Sequence, residues 1–386
     1  MGRIRIGWAA VSGAAVLGGA VLGGALAPTL YGPTAVTARA DPAPGSVIDV
    51  RSLPGDLSLP GAAVAERIEY HTQMRSGAPT VGTGVLFLPP GPAPAEGRPV
   101  VAWTHGTYGI GDDCAPSTRP RGPRDSAYLD HWLDQGYAVV AADYPGLGTA
   151  GVHTYLDGPS AANSVVDIVR AARAVEPGLS DRWVVIGQSQ GGHAALHTAH
   201  LATTRAPELD FRGTVTTGAP ANLELLFPLG FPGFPDLGLD GLTEYSGYLF
   251  AGLRAARPDL DVNSYLSPLG VDVVDAAETL CYDAFGERYG DVGVGQLLAR
   301  PLGDDRFRSA FADYVAVPTA GYDRPLFIGQ GLRDTMVPAP LSGKLAVDLT
   351  VGGADLHYRT YPGGHGDTMS ASLPDTTPFV AQLFAG

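Results

Sequence analysis

Short apolar runs alternate with segments of helical spacing along most of this 386-residue chain. The runs Arg98–Thr104, Tyr137–Asp143 and Trp183–Gly187 show no polar alternation, which is typical of strands that are buried on both faces. The segments Pro159–Ala174 and Gln190–Leu201 have the spacing of helices that carry an apolar side. This alternation predicts an α/β fold, in which helices cover both faces of a mostly parallel sheet.

Further elements are expected on either side of this series, at Ala65–Thr72, Thr80–Leu88, Ser126–Gln135, Phe211–Thr217, Pro325–Gly329, Leu356–Tyr361 and Thr377–Phe384. Residues 41–62 are rich in Pro and Gly and predict an extended arm. Residues 219–320 break the alternation, because they show helical spacing without a convincing buried strand. The expected organisation is a leader over 1–40, a core in two parts over 41–218 and 321–386, and a helical insertion over 219–320.

The leader has the pattern of a cleavable signal peptide. Arg3 and Arg5 precede a stretch without charge, and Ala38-Arg39-Ala40 offers a cleavage site of the small-x-small type. A retained membrane anchor is the alternative, since about 20 apolar residues suffice to cross a bilayer. Six glycines between residues 6 and 27 count against an anchor, so we predict export to the cell envelope or the medium.

The charge balance argues against two kinds of partner. Beyond residue 40 the chain carries 22 basic and 39 acidic residues, a net charge of −17. Nucleic acid and anionic lipid surfaces both require clustered cations, which this balance does not provide. No pattern in the sequence indicates an obligate protein partner.

Ser189 is the candidate nucleophile. It lies in the sequence Gly187-Gln188-Ser189-Gln190-Gly191, directly after a predicted buried strand and directly before a predicted helix. A serine on such a sharp turn needs small residues two positions away on either side, because the backbones approach closely. The N–H of Gln190 would point toward the reacting carbonyl and could bind an oxyanion. An ordinary tight turn is the alternative.

A serine nucleophile needs a base, and the base needs an acid to orient it. In enzymes of this fold class that carry such a serine turn, the three residues follow one another in the order Ser, acid, His. His365 follows the last predicted strand, and Asp334 follows the strand before it. Asp355 and Asp367 are competing candidates for the acid.

The second oxyanion donor is expected in the loop after the first buried parallel strand. Gly106 allows a sharp turn there, and the N–H of Thr107 is the candidate donor. His105 in the same loop could act in catalysis, but we expect it to hydrogen-bond nearby backbone and shape the loop.

Neither a metal nor a nucleotide cofactor is predicted. His193, His197 and His200 have a spacing that can bind zinc, but no acidic residue lies among them, so we expect packing and local hydrogen bonds. The glycine-rich stretches 143–148 and 187–192 lack the dinucleotide pattern and the phosphate-loop lysine.

The chain has two cysteines, Cys114 and Cys281. In an exported protein such a pair indicates one disulfide, and two buried free thiols are the alternative.

Four stretches together resemble the secretory lipase family, α/β-hydrolases similar to fungal lipase A. They are Trp103–Thr107, Asp113–Ser117, Ala142–Gly148 and the turn at Ser189. The resemblance covers roughly residues 60–386. It implies a triad of Ser189, Asp334 and His365, a helical lid before the acid, and a disulfide that ties the oxyanion loop to the lid. It also implies hydrolysis of acylglycerols or simpler carboxylic esters.

Two local features bear on the substrate. Gln188 and Gln190 stand where a tyrosine and a glycine are expected in the fungal members, and Gln190 is expected to crowd the acyl pocket. The apolar residues between Leu226 and Leu237 are interrupted by prolines, which prevent one regular helix. Such a segment suits binding of an acyl chain and transient contact with a lipid interface. Plain packing on the sheet is the alternative.

Taken together, these features predict an exported serine hydrolase that cleaves carboxylic esters of the lipase or esterase type through an acyl-enzyme. Acyl transfer to an alcohol, peptide hydrolysis, and binding without catalysis are the alternatives.

Overall fold

The structure is a computed structural model that describes residues 42–386. The predicted signal peptide and its cleavage site lie outside these residues. Within them the strands are β1 (Val47–Ser52), β2 (Val64–Gln73), β3 (Pro79–Leu88), β4 (Arg98–Thr104), β5 (Ala138–Ala142), β6 (Leu179–Gln188), β7 (Asp210–Thr217), β8 (Leu326–Gly331) and β9 (Leu356–Tyr361).

The helices are α1 (Pro123–Asp134), α2 (Gly158–Val175), α3 (Gln190–Arg205), α4 (Leu223–Leu226), α5 (Leu242–Ala256), α6 (Pro268–Ala277), α7 (Tyr282–Tyr289), α8 (Val294–Leu297), α9 (Asp305–Val315), α10 (Ala339–Val351) and α11 (Asp367–Ala385). None of them is long and apolar enough to cross a membrane, a statement that covers residues 42–386 only.

The strands form one sheet in the order β1-β2-β3-β5-β4-β6-β7-β8-β9. Strand β1 pairs with β2, β2 with β3 and β3 with β5, all antiparallel. Every neighbouring pair from β5–β4 to β8–β9 is parallel. The carboxyl ends of β4, β6, β8 and β9 therefore meet at one edge of the sheet, which is where ligands bind in open α/β sheets.

Burial on both faces explains the unbroken apolar runs. In β4, Val100 and Ala102 belong to one hydrophobic cluster, and Val101 and Trp103 belong to the cluster on the opposite face. Helices α2, α3 and α10 contribute to the first cluster, whereas α1 and α11 contribute to the second. The predicted α/β fold, with helices on both faces, is confirmed.

Two elements differ from the sequence prediction. Part of the expected extended arm is an edge strand, Val47–Ser52, which pairs with β2 through backbone hydrogen bonds and buries little side-chain surface. The closing helix begins at Asp367, ten residues before the predicted start, and contains Pro374 and Pro378. Packing of Met369, among other residues, against the sheet outweighs the cost of the two prolines.

Helices α4 to α9 lie between β7 and β8, and no named strand of the described residues occurs between them. This segment has a hydrophobic cluster of its own, in which aromatic side chains such as Phe250, Phe285 and Phe311 pack among aliphatic ones. Tyr155 and Leu156, from the loop before α2, join the same cluster.

Candidate active site

Ser189 lies on a strained turn between β6 and α3. Its backbone angles are φ 58° and ψ −125°, a region that residues with a side chain rarely adopt. The turn is held by two hydrogen bonds, from the Ser189 N–H to the Thr217 carbonyl (3.0 Å) and from the His193 N–H to the Ser189 carbonyl (3.1 Å). The residue is 9% exposed, so its hydroxyl lies at the edge of the core.

Two glycines make this turn sterically feasible. A Cβ at Gly187 would collide with the Gly191 carbonyl and the Thr104 hydroxyl, and a Cβ at Gly191 would collide with the Thr104 carbonyl. The glycines of the motif are therefore required by close backbone approach, as the sequence pattern indicates.

His365 and Asp334 are in direct contact at the same edge of the sheet. Asp334 follows β8, His365 follows β9, and the His365 Nδ1 lies 2.7 Å from the Asp334 Oδ2. Because a carboxylate only accepts, Nδ1–H donates and Nε2 is left to accept a proton. Gly218 packs on this pair, since a Cβ there would approach the His365 ring to 2.9 Å.

The Asp334 carboxylate is fully hydrogen-bonded. Its Oδ1 accepts from the N–H groups of Met336 (3.0 Å) and Val337 (2.7 Å). Its Oδ2 accepts from His365 and from the Gln330 Nε2 (3.3 Å). These four donors fix the orientation of the carboxylate toward His365.

Neither competing aspartate contacts His365 in the described part of the chain. Asp355 is exposed and lies 4.0 Å from His357, at the other end of β9. Asp367 accepts a hydrogen bond from the Gly364 N–H (2.9 Å) and so holds the loop that carries His365.

Ser189 and His365 line one cavity, but no hydrogen bond between them occurs among the described residues. In unliganded hydrolases the contact between nucleophile and base is often long and shortens when substrate binds.

Both candidate oxyanion donors are free of protein acceptors. Neither the Gln190 N–H nor the Thr107 N–H donates to another group in residues 42–386. The loop lies against the nucleophile, since a Cβ at Gly106 would be 3.5 Å from the Ser189 Cβ. The His105 Nδ1–H donates to the Gly106 carbonyl (2.6 Å), and burial lowers the pKa of His105, so the neutral ring shapes this loop.

The expectation that Gln190 crowds the acyl pocket is wrong. Its side chain points away, and its Nε2 donates to the Nε2 of His153 (2.8 Å). The His153 Nδ1–H in turn donates to the Pro145 carbonyl (3.1 Å). Burial lowers the pKa of His153 to about 4, which keeps its Nε2 available as an acceptor. Sequence reasoning missed this histidine, although it follows the motif at 142–148 closely.

A disulfide joins Cys114 to Cys281, with a Cα–Cα distance of 5.4 Å. It links the loop after β4 to the start of α7. The Tyr282 N–H also donates to the Tyr108 carbonyl (2.9 Å), so the two segments are joined by backbone as well as by sulfur.

Two cavities meet at Ser189. The acyl cavity, as we name it, has a volume of about 160 Å³ and is lined mainly by apolar side chains, most of them from the insertion, among them Leu223, Phe227, Leu242 and Leu249. The second cavity is larger and more open, with a volume of about 1120 Å³. We call it the polar cavity, because charged side chains such as Arg124 and Asp125 form part of its lining.

The three histidines of α3 pack against neighbouring groups, but within residues 42–386 the buried Nε2 of His197 and Nδ1 of His200 have no hydrogen-bond partner. The His193 Nε2 lies 3.0 Å from the Val315 carbonyl, and the rings of His193 and His197 are 4.6 Å apart. No group of three or more His, Cys, Asp or Glu side chains within residues 42–386 is placed to hold a metal ion.

The sheet order, the strained serine turn after β6 and the Asp–His contact beyond β8 and β9 define an α/β-hydrolase. Solved structures share this fold. Lipase A of Candida antarctica in its closed state aligns with a TM-score of 0.75 and 21% identity, over 89% of this chain and 83% of that one. The rice cell wall degrading esterase LipA of Xanthomonas oryzae aligns with a TM-score of 0.69 and 20% identity, over 88% and 97%.

The family follows from the sequence comparison. A family model described as secretory lipase matches residues 124–386, and the chain belongs to that family. It is 25% identical to lipase A of Moesziomyces aphidis, over 89% of this chain and 77% of that protein. It is 26% identical to a secreted triacylglycerol lipase of Malassezia furfur, over 72% and 76%. The protein is thus an ester-hydrolysing lipase, a carboxylic ester hydrolase that acts on ester or lipid substrates, and its family implies secretion.

Proposed function

We propose that the protein hydrolyses carboxylic esters through an acyl-enzyme on Ser189. The Ser189 hydroxyl attacks the ester carbonyl while His365 takes its proton, and the Gln190 and Thr107 N–H groups bind the oxyanion. His365 then gives that proton to the leaving alcohol oxygen as the C–O bond breaks. Water, deprotonated by His365, attacks the acyl-enzyme and releases the acid.

One observation carries this proposal. The 2.7 Å contact between His365 and Asp334 leaves the His365 Nε2 as the free base, and His365 lines the same cavity as the strained Ser189. Asp334 orients the ring and stabilises its protonated form during the reaction.

The acyl chain of the substrate occupies the acyl cavity. This cavity reaches Ser189, and its lining is apolar apart from a few hydroxyl groups, which suits a hydrocarbon chain. Since Gln190 does not line it, the residue beside the nucleophile does not restrict chain length there.

Residues 219–320 serve as the lid of this site, between the two parts of the core at 41–218 and 321–386. Leu225, Leu226, Leu229, Phe231 and Leu237 of this segment are between 44% and 53% exposed, an apolar surface that suits transient contact with a lipid interface. The pattern of residues 1–40 supports export by a signal peptide, cleaved after Ala40.

The Ser189→Ala variant tests the proposal. It should abolish hydrolysis of p-nitrophenyl butanoate and decanoate, and covalent labelling by a fluorophosphonate probe should disappear with it. Ser370→Ala, an exposed serine at the start of α11, is the matched control and should retain both. Surviving hydrolysis in Ser189→Ala would contradict the proposal. Product analysis with added butanol should give mainly free acid, whereas butyl ester as the main product would indicate acyl transfer.

A further inference from the structure

We propose that the polar cavity is the site of the leaving alcohol, and that Arg124 selects neutral hydroxylated alcohols there, such as glycerol or a sugar. This inference deepens the proposed function and rests on it. It places the alcohol half of the ester in the polar cavity, whereas the proposed function placed only the acyl half.

The position of the base decides which half of the ester lies where. His365 must reach the alcohol oxygen to protonate it as it leaves, so the alcohol lies on the side of Ser189 that His365 occupies. His365 and Thr107 line the polar cavity, and neither lines the acyl cavity. The alcohol therefore departs into the polar cavity, and the acyl chain extends the other way.

A wall separates the two cavities near Ser189. Tyr245 and Met336 line both of them, and the Tyr245 hydroxyl lies 3.4 Å from the Met336 sulfur. The same hydroxyl lies 3.1 Å from that of Tyr282, which lines the polar cavity alone. The two halves of one substrate thus meet different chemical surroundings.

Tyr108, Arg124 and Asp125 form a hydrogen-bonded cluster in the lining of the polar cavity. Asp125 is 4% exposed, and it accepts from the Tyr108 hydroxyl (2.6 Å) and from the Arg124 Nε (2.8 Å). The Arg124 side chain is 49% exposed, and its two terminal nitrogens donate to no group within residues 42–386. A Cβ at Gly366 would lie 3.2 Å from one of them, which places the guanidinium beside the loop of His365.

This arrangement suits a polyol. The buried carboxylate fixes the guanidinium, so its free N–H groups can donate to hydroxyl oxygens with little loss of side-chain entropy. The other charged side chains of the cavity are Asp113, Arg119, Asp283 and Glu287. Carboxylates outnumber guanidinium groups there, which disfavours an anionic headgroup, and a long alkyl alcohol would remove from water any charged group that it covers.

Esters with one acyl chain and different alcohols test the inference. With the wild-type protein, 1-monodecanoylglycerol should have a kcat/KM at least about tenfold above that of butyl decanoate, which is similar in size but lacks the hydroxyls. Equal values, or a preference for butyl decanoate or for decanoylcholine, would overturn the proposal.

The variant Arg124→Met tests whether Arg124 causes the preference for the glycerol ester. It should lower kcat/KM for 1-monodecanoylglycerol about tenfold and change that for butyl decanoate less than twofold. Arg51→Met removes the same charge at an exposed position on the edge strand β1, outside the cavity, and should leave both values within twofold. Two results would overturn the role of Arg124. One is an equal loss of kcat/KM in both variants. The other is an equal loss on both esters in Arg124→Met when the melting temperature is unchanged. Failure of the proposed function is distinguishable, since butyl decanoate hydrolysis would then survive in Ser189→Ala.

Discussion

At the scale of single residues, the Asp334 carboxylate shows how much of the site depends on groups that never meet the substrate. Its Oδ1 is occupied by two backbone N–H groups, so only Oδ2 faces His365. The spacing of motifs along the sequence was enough to predict Ser189, Asp334 and His365. It could not predict Gln330 or His153, because their roles depend on hydrogen bonds across the fold and no local pattern marks them.

The variant Asp334→Asn should lower kcat by about 10³–10⁴-fold with little change in KM. The two backbone N–H groups would retain the amide oxygen, so the amide NH₂ would face His365 and favour the tautomer whose Nε2 carries the proton. Steady-state kinetics on a soluble ester measure the effect. Asp355→Asn is the matched control and should keep full activity, whereas a mild effect at Asp334 would assign the role to another acid.

At the scale of elements, the burial of apolar side chains explains which strands and helices could be predicted from the sequence. Strands such as β4 are apolar on both faces and match their predicted bounds. Strand β1 escaped prediction because backbone pairing with β2, rather than burial, holds it at the sheet edge. Helix α11 was predicted too short because its two prolines break the local pattern while its contacts with the sheet persist.

The exposed apolar side chains of the proposed lid should act only at interfaces. Leu225→Ser with Leu229→Ser, two exposed positions that do not line the acyl cavity, should lower hydrolysis of an emulsified triacylglycerol about three- to tenfold, because less apolar surface can leave water at the droplet. Hydrolysis of soluble p-nitrophenyl butanoate should stay unchanged. Val351→Ser, at an 83% exposed residue at the end of α10, is the control and should leave both rates as they are. Equal losses on the two substrates would contradict a role in lipid contact.

At the scale of the whole molecule, buried histidines couple stability to pH. Burial lowers the pKa of both His153 and His193 to about 4, against about 6.5 in the unfolded chain. Between these values the unfolded chain binds more protons, so the free energy of unfolding falls as the pH falls. Asp157, whose pKa burial raises, offsets part of this loss at the acid end.

The midpoint of urea unfolding should therefore decrease steadily from pH 7 to pH 4.5. Each of the two histidines contributes at most about 3 kcal/mol to this loss. His193→Gln should make the profile flatter over that interval, because one of the two buried histidines is removed. A midpoint that is constant across this range in the wild-type protein would contradict the lowered pKa of the two buried histidines.

The bond between Cys114 and Cys281 also restricts how the molecule can admit a bulky substrate. It anchors the start of α7 to the loop that presents the Thr107 N–H, so these two segments must travel together or stay where they are. Any widening of the passage to Ser189 is then expected where residues 231–241 meet the Met336 loop, which no disulfide of residues 42–386 joins and where the Thr335 hydroxyl donates to Asp240 (2.6 Å). A substrate would thus be admitted by an asymmetric movement about a covalently fixed side.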